Sequence, residues 1–185
     1  MDKETKRKVK NFTLDVIDLF LGIPESLVMA FDRKEFYRFL SGNQTEHMLT
    51  CDNIAKLISN LKKSGYIQVE KRDGRESIKF TDKARLAIVD RIASRSAVDS
   101  KHHFVSFDIP EKMRPNRDKF RRTIKRLGFR QIQKSLWVCK KEVGDLVELA
   151  AREYGVDEYV VYIVSGNTNI DKAILKMFPT RTDNN

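Results

Sequence analysis

The sequence predicts an α+β protein of two small domains, and three observations support this prediction. A chain of 185 residues is long enough for two such domains. Hydrophobic periodicity over residues 50–93 predicts helix, strand, strand and helix, whereas residues 104–178 predict the order βαββαβ followed by a short helix. Residues 96–101 carry no such pattern, so we expect a linker there. The predicted domains are therefore residues 1–95 and 102–178, with a flexible tail at 179–185.

The N-terminal segment of the first domain, residues 12–31, is rich in Leu, Ile, Val and Phe. It also contains Asp15, Asp18 and Pro24. Carboxylates are costly inside a membrane-spanning helix, and a proline would break a short one. We therefore interpret this segment as an amphipathic helix packed on the first domain, and expect no membrane partner. A second helix is predicted over residues 33–40.

A one-sided helix is predicted between Thr50 and Gly65. Its apolar residues follow the i, i+3, i+4, i+7 spacing of a helix that packs on one side: Ile54, Leu57, Ile58 and Leu61. At about 100° per residue, the polar side chains at positions 56, 59, 60 and 63 then point away from the core. This polar face is the candidate for a reading helix.

A basic hairpin is predicted directly after this helix. Residues 66–70 and 76–80 alternate as two strands, and residues 71–75 form a basic turn that contains the Asp-Gly signal of a hairpin. A further helix is predicted from Thr81 or Asp82 through Ala93. The order helix, helix, strand, basic hairpin, strand, helix is typical of a winged helix-turn-helix domain.

The second domain is predicted to have a ferredoxin-like fold. Its elements are a strand over residues 104–109, a helix from Pro115 to Gly128, one long or two short strands over 129–139, a helix over 144–154, a strand over 158–164 and a helix over 171–178. The order βαββαβ of the first six elements is that of the ferredoxin-like fold.

The last strand of this domain, Tyr159-Val160-Val161-Tyr162-Ile163-Val164, is apolar at every position. A sheet with helices on one face only would expose polar residues on the other face. Something therefore covers the second face, and in so small a domain a second copy of the chain is the simplest cover. We predict a homodimer that forms through the second domain.

Positive charge is concentrated in the second domain. The formal net charge of the chain is +10, which favours polyanionic partners. Residues 112–141 contain 12 Lys or Arg and one acid, Asp118, a local net charge of +11. Like charges at i,i+4 repel along a helix, and a bound nucleic acid would relieve this repulsion. Charge alone leaves DNA and RNA open for this segment.

Two stretches of the second domain resemble known families. They are Phe104-Val105-Ser106-Phe107-Asp108-Ile109-Pro110-Glu111 and, after Arg117, Gly128-Phe129-Arg130-Gln131-Ile132-Gln133-Lys134-Ser135-Leu136-Trp137-Val138. The chain is similar to the phenylacetate-catabolon repressor (PaaX-like) family, which joins a winged helix to such a domain. It also resembles the CRISPR-associated Cas-two family, whose members are nucleases and spacer-integration adaptors built on a ferredoxin-like dimer.

The resemblance implies a sequence-specific transcriptional repressor that binds double-stranded DNA as a homodimer, without a cofactor. Asn can pair with adenine edges, and Lys with guanine or phosphate. The predicted DNA-binding residues are Asn53, Lys56, Ser59, Asn60, Lys63, Lys71, Arg72, Arg75, Arg117, Arg121, Arg122, Lys125 and Arg126. The operator, the regulated genes and any small-molecule effector stay open.

Asp108 is the one catalytic candidate. In the Cas-two resemblance, the matching Asp of each subunit lies near the two-fold axis and can hold a divalent metal, so the alternative function is a nuclease or CRISPR-adaptation adaptor with Mg²⁺ at Asp108. Alternation along the strand places Asp108 on the same face as Phe104 and Ser106. Its other possible role is to cap the turn before Pro110. Because a metal nuclease normally needs several oxygen ligands, we expect a regulator rather than an endonuclease.

The histidines and cysteines predict no catalytic or metal site. His102 and His103 are adjacent, so their side chains point in opposite directions in an extended strand, and His47 is distant in sequence. Cys51 and Cys139 lie far apart without a CxxC pattern. They indicate reduced thiols and a cytoplasmic protein.

Overall fold

A computed structural model of the chain describes residue 7 and residues 11–18, 31–32, 51–72 and 75–178, of which residues 31–32, 51–54, 72 and 75–77 are described by their backbone alone. The chain divides into two compact units, residues 1–88 and residues 89–185. Each unit contains helices and an antiparallel sheet. The prediction of an α+β protein is therefore confirmed.

The first helix, α1, covers residues 11–18. It is amphipathic, since Val16 and Ile17 are buried whereas Asn11 and Asp15 are exposed. The helix predicted over residues 12–31 is too long, because strand β1, Phe31–Asp32, belongs to a sheet instead. Among the described residues, no helix is long and apolar enough to cross a membrane. The helix predicted over residues 33–40 lies outside the described residues.

Helix α2, Cys51–Lys63, confirms the one-sided helix. Leu57 and Leu61 are buried on its inner side. Gly65 follows the end of the helix, and its φ of 71° is a left-handed conformation that glycine adopts without strain. The N–H of Gly65 donates to the carbonyl of Lys62 at 3.0 Å, and the N–H of Tyr66 donates to that of Leu61 at 2.9 Å, which closes the helix end.

The predicted hairpin is present, but its strands β2, Ile67–Arg72, and β3, Arg75–Phe80, extend into the turn predicted at residues 71–75. Arg72 lies opposite Arg75, so two residues connect the strands, as the Asp-Gly signal predicts. Strand β1 adds to the other edge of β3, which gives the sheet order β1-β3-β2. The order helix, hairpin, helix agrees with the sequence, and the winged-helix assignment of the whole unit stays a prediction.

The single helix predicted up to Ala93 is wrong, because the chain forms two helices, α3 at Asp82–Ala87 and α4 at Val89–Arg95. Thr81 is the N-cap of α3, with its hydroxyl accepting the N–H of Ala84 at 3.4 Å. At Ile88 the N–H donates to the carbonyl of Arg85, and φ of −114° departs from helical geometry. The bond reaches back three residues instead of four, which interrupts the helix.

The first strand of the second unit, β4, covers Val98–Phe107 rather than the predicted residues 104–109. Residues 98–101 are therefore strand, not linker, and Asp108 and Ile109 follow the strand. Val98 pairs with Lys141, and the register shifts between Val98 and His103. Such an irregularity breaks the period of two on which the prediction depends.

The remaining elements follow the predicted order: a 3₁₀ turn at Glu111–Met113, α5 at Arg114–Arg126, β5 at Arg130–Gln131, β6 at Leu136–Lys141, α6 at Gly144–Glu153, a 3₁₀ turn at Asp157–Tyr159, β7 at Val160–Ser165 and α7 at Asp171–Met177. The sheet order is β5-β6-β4-β7, with every pair antiparallel. This is the strand order of a βαββαβ ferredoxin-like arrangement.

The two faces of this sheet have different covers. On the first face, Phe107 packs edge-on against Phe120 of α5, with ring centroids 5.4 Å apart, and stacks with Trp137 at 6.5 Å. On the second face, Phe104 and Val138 form a buried cluster with Ile174 of α7.

The inference that another copy of the chain covers the whole second face is therefore corrected. Helix α7 of the same chain covers part of it. Strand β7 lies at the sheet edge, and Val161 and Ile163 on the same face are 56% and 46% exposed. The homodimer itself stays a prediction.

Candidate nucleic-acid interface

Helix α2 presents a polar face to solvent. The predicted residues Lys56, Ser59, Asn60 and Lys63 are all exposed, because Leu57 and Leu61 fix the opposite face in the core. With about 100° per residue, the four side chains lie within roughly one third of the helix circumference. The side chain of Asn53 lies outside the described residues.

The hairpin brings basic positions to its tip. Arg72 and Arg75 lie opposite each other in the last register pair before the turn, and Lys71 is exposed in the preceding pair. The side chains of Arg72 and Arg75 lie outside the described residues. The backbone nevertheless places three cationic positions next to one another at one end of the unit.

Helix α5 has one apolar side and one cationic side. Phe120, Thr123 and Ile124 are buried. Lys119, Arg122 and Lys125 are exposed, and we refer to these three residues as the α5 basic face. At about 1.5 Å per residue, their Cα atoms span roughly 9 Å along the helix axis. Phosphates of one nucleic-acid strand could be contacted at this spacing.

Two of the predicted DNA-binding arginines have acidic partners from outside α5. Arg117 donates to Glu111 at 2.8 Å and to the carbonyl of Ile109 at 3.2 Å. The hydrogen bond from Arg117 to Glu111 lowers the pKa of the Glu111 carboxyl group. Arg126 donates to Asp90 of α4. Arg117 and Arg126 are thus less free to bind phosphate than the α5 basic face.

Two cations of α5, Arg121 and Lys125 of the α5 basic face, lie over aromatic rings of the core. The guanidinium of Arg121 is 5.7 Å from the centroid of Phe107, and the ammonium group of Lys125 is 5.7 Å from that of Trp137. Arg121 is half-buried and Lys125 is exposed, so the two charges stay near the surface while each side chain contacts an aromatic ring. Trp137 itself is 3% exposed, so it is a core residue.

Asp108 lies just after β4 and is exposed. Its N–H donates to the carbonyl of Tyr159 at 3.1 Å, which fixes the chain where the strand ends. Among the described residues, no three or more His, Cys, Asp or Glu side chains are grouped closely enough to hold a metal ion. A metal at Asp108 stays a prediction that would need ligands from elsewhere.

The two adjacent histidines have partners that the sequence did not predict. They point to opposite faces of the sheet, as predicted. His102 is within 3.0 Å of Asp171 in α7 and 3.4 Å of the Lys140 ammonium group. His103 lies between Asp99 and Tyr162, as described below. No spacing in the sequence signals these contacts, because they join distant elements or depend on the irregular register of β4.

Cys139 is a buried free thiol in β6. Burial raises the pKa of this thiol, so the protonated, unreactive form is favoured. The side chain of Cys51 lies outside the described residues.

Comparison with known proteins gives one family match. Residues 95–174 match the family model described as the PaaX protein central Cas2-like domain. This range runs from the end of α4 to Ile174 in α7, and it includes both stretches that carry the resemblance. No curated protein and no solved structure matches the chain.

Proposed function

We propose that the chain is a PaaX-like, sequence-specific DNA-binding transcriptional regulator, because residues 95–174 match the model of the PaaX protein central Cas2-like domain. We infer that it acts as a repressor and as a homodimer. PaaX-type proteins are transcriptional regulators, and this supports transcriptional regulation as the general class of function. DNA binding by the first unit rests on the residues below.

The exposed polar face of α2 carries the proposal. Asn60 offers an amide that can form two hydrogen bonds with an adenine edge, and Lys56 and Lys63 can reach guanine or phosphate. The face is followed directly by the hairpin that positions Lys71 at its exposed end. A helix that enters a groove beside a basic hairpin is the arrangement that this unit would need for reading DNA.

The α5 basic face supplies a second, sequence-independent contribution. Its three cations have no acidic partner among the described residues. Phosphate contacts position a protein on DNA without reading sequence, and they make affinity salt-dependent. We therefore assign specificity to α2 and general affinity in part to α5.

The assignment of α2 is tested with the triple variant Lys56→Ala, Asn60→Ala, Lys63→Ala. The matched control is Lys62→Ala, which removes an exposed cation from the same helix but at its flank. Sites are first selected from random double-stranded DNA with the full chain, and footprints on these sites are then compared. We expect the triple variant to lose its preference over random DNA by about 100-fold or more, since each lost base contact costs about 1–3 kcal/mol.

The control should keep the preference of the unmodified chain. Equal footprints for the triple variant and the unmodified chain would contradict the role of α2. Recovery of no preferred site at all would contradict sequence-specific regulation. In that case, cleavage of labelled DNA or RNA with Mg²⁺ that disappears in Asp108→Ala would favour the nuclease alternative.

A further inference from the structure

A cleft of about 620 Å³ lies in the second unit, and none of its lining residues belongs to α5. It is lined by the segment before β4, by β4 and β7, and by the first turn of α6. The residues that matter for its chemistry are Asp99, Lys101, His103, Glu142, Asp145 and Tyr162. No part of the proposed DNA-binding function uses this cleft.

A buried histidine orients the hydroxyl group in the wall of the cleft. His103 is 2% exposed. Its Nδ1 is 2.5 Å from the hydroxyl oxygen of Tyr162, and its Nε2 is 3.0 Å from a carboxylate oxygen of Asp99. The neutral imidazole satisfies both contacts when Nε2–H donates to Asp99 and Nδ1 accepts the hydroxyl proton of Tyr162.

This chain of hydrogen bonds determines what Tyr162 can offer a ligand. With this tautomer the hydroxyl proton is used toward His103, so the oxygen of Tyr162, a residue of the cleft wall, keeps lone pairs with which it can accept a hydrogen bond. Burial, together with nearby acids, raises the pKa of Tyr162 to about 12, so the hydroxyl group stays protonated. Among the described residues, Tyr162 has no second hydrogen-bond partner.

The position of Tyr162 depends on a glycine. A Cβ at Gly144 would lie 2.7 Å from Cε1 and 2.9 Å from Cζ of the Tyr162 ring. Any other residue at the start of α6 would therefore displace the ring from His103. The backbone of α6 and the ring are packed closely where the hydroxyl group reaches the cleft.

The other polar groups of the cleft are also mainly acceptors. The wall carries three carboxylates and one ammonium group, in a chain whose net charge is +10. A hydrogen bond from the N–H of Lys101 is the main cause of the lowered pKa of Asp99, so this acceptor is ionised at neutral pH. A ligand that carries positive charge and donates hydrogen bonds would complement the three carboxylates and the oxygen of Tyr162.

We propose that this cleft binds a small organic cation, the ammonium group of a primary amine, with the oxygen of Tyr162 as an acceptor held in place by His103 and Asp99. The net positive charge of the protein repels cations elsewhere. Saturable binding of such a cation therefore reports a local site.

Three molecules of equal chain length test the charge requirement: n-butylamine, n-butanol and butyrate. Each is titrated into the isotopically labelled full chain, and amide resonances are followed by NMR. We expect saturable shifts around His103, Gly144 and Tyr162 with n-butylamine alone. Equal shifts with butyrate or butanol, or none with n-butylamine, would overturn the proposal. So would Mg²⁺ that saturates the same resonances and is not displaced by n-butylamine.

Tyr162→Phe removes the acceptor and keeps the ring. Its matched control is Tyr159→Phe, a half-buried tyrosine outside the cleft. A hydrogen bond to a charged group predicts about tenfold or more weaker n-butylamine binding in Tyr162→Phe and no change in the control. Unchanged binding in Tyr162→Phe would overturn the role of the hydroxyl group, and the thermal melt of each variant shows that it is folded.

Discussion

Replacing Gly144 by Ala tests the packing on which the geometry of β7 depends. A Cβ at this position meets Cε1, Cζ and the hydroxyl oxygen of Tyr162 at 2.7, 2.9 and 3.1 Å, all on one rigid ring. Without this contact, alanine in a helix would be more stable than glycine by about 0.5–1 kcal/mol. Overpacking costs about 1–3 kcal/mol, and the ring cannot move aside into the cleft without losing its 2.5 Å contact with His103, so we expect a net loss of stability. The sign of the change therefore distinguishes the two effects.

Thermal unfolding monitored by circular dichroism measures this loss. For a unit of about 100 residues, each kcal/mol lowers Tm by about 4–8 °C. The control is Gly166→Ala, because a Cβ there has no neighbour within 4 Å. A double-mutant cycle with Tyr162→Val assigns the cost to the ring, since Gly144→Ala should cost nothing once the ring is absent. An unchanged or higher Tm for Gly144→Ala in the unmodified chain would refute the packing argument.

Three further predictions concern other parts of the second unit. Ile174→Ala, at a fully buried position of α7, should lower the free energy of unfolding by about 2–5 kcal/mol and increase hydrogen exchange in α7. Leu175→Ala, at a 57% exposed position, should change it by less than about 0.5 kcal/mol. Equal effects of the two substitutions would contradict the docking of α7. Arg122→Ala should reduce the slope of log affinity for DNA against log salt concentration by about 0.9. Arg126→Ala should reduce this slope less, because Arg126 already forms an ion pair with Asp90. The reverse order would contradict the role of the α5 basic face. Because Arg117 lowers the pKa of Glu111, the stability from this pair is present above the pKa of Glu111 in the unfolded chain and is lost as the pH falls through its pKa in the folded chain. Glu111→Gln should therefore lower Tm near pH 7 and flatten the fall in Tm between about pH 5 and about pH 3. An unchanged dependence of Tm on pH in this range would contradict the pair.

Local signals in the sequence were sufficient for most elements. The four apolar positions of α2 and the glycine at its end defined that helix, and the Asp-Gly pair gave a hairpin in the observed register. The break between α3 and α4 was not predictable, because one non-helical residue at Ile88 leaves the apolar spacing almost unchanged. Hydrophobic periodicity records which side is buried, and it is insensitive to a single altered backbone hydrogen bond.

The cleft escaped prediction for a related reason. In a regular strand, residues four apart are separated by about 13 Å, so Asp99 and His103 were not expected to touch. The shifted register between Val98 and His103 accompanies a 3.0 Å contact between their side chains. Tyr162 reaches the same histidine only through the pairing of β4 with β7, which is set by the tertiary fold.

The second face of the sheet constrains the homodimer that we propose. The apolar sequence of β7 correctly predicted that this face is covered. Part of the cover is Ile174 in α7, which belongs to the same chain. Val161 and Ile163 remain exposed on the edge strand. An edge strand with apolar side chains can pair with another chain through both its backbone and its side chains. A second copy would therefore be expected to contact β7 rather than the area beneath α7, and Val161→Lys should weaken self-association measured by sedimentation while Leu175→Lys should not.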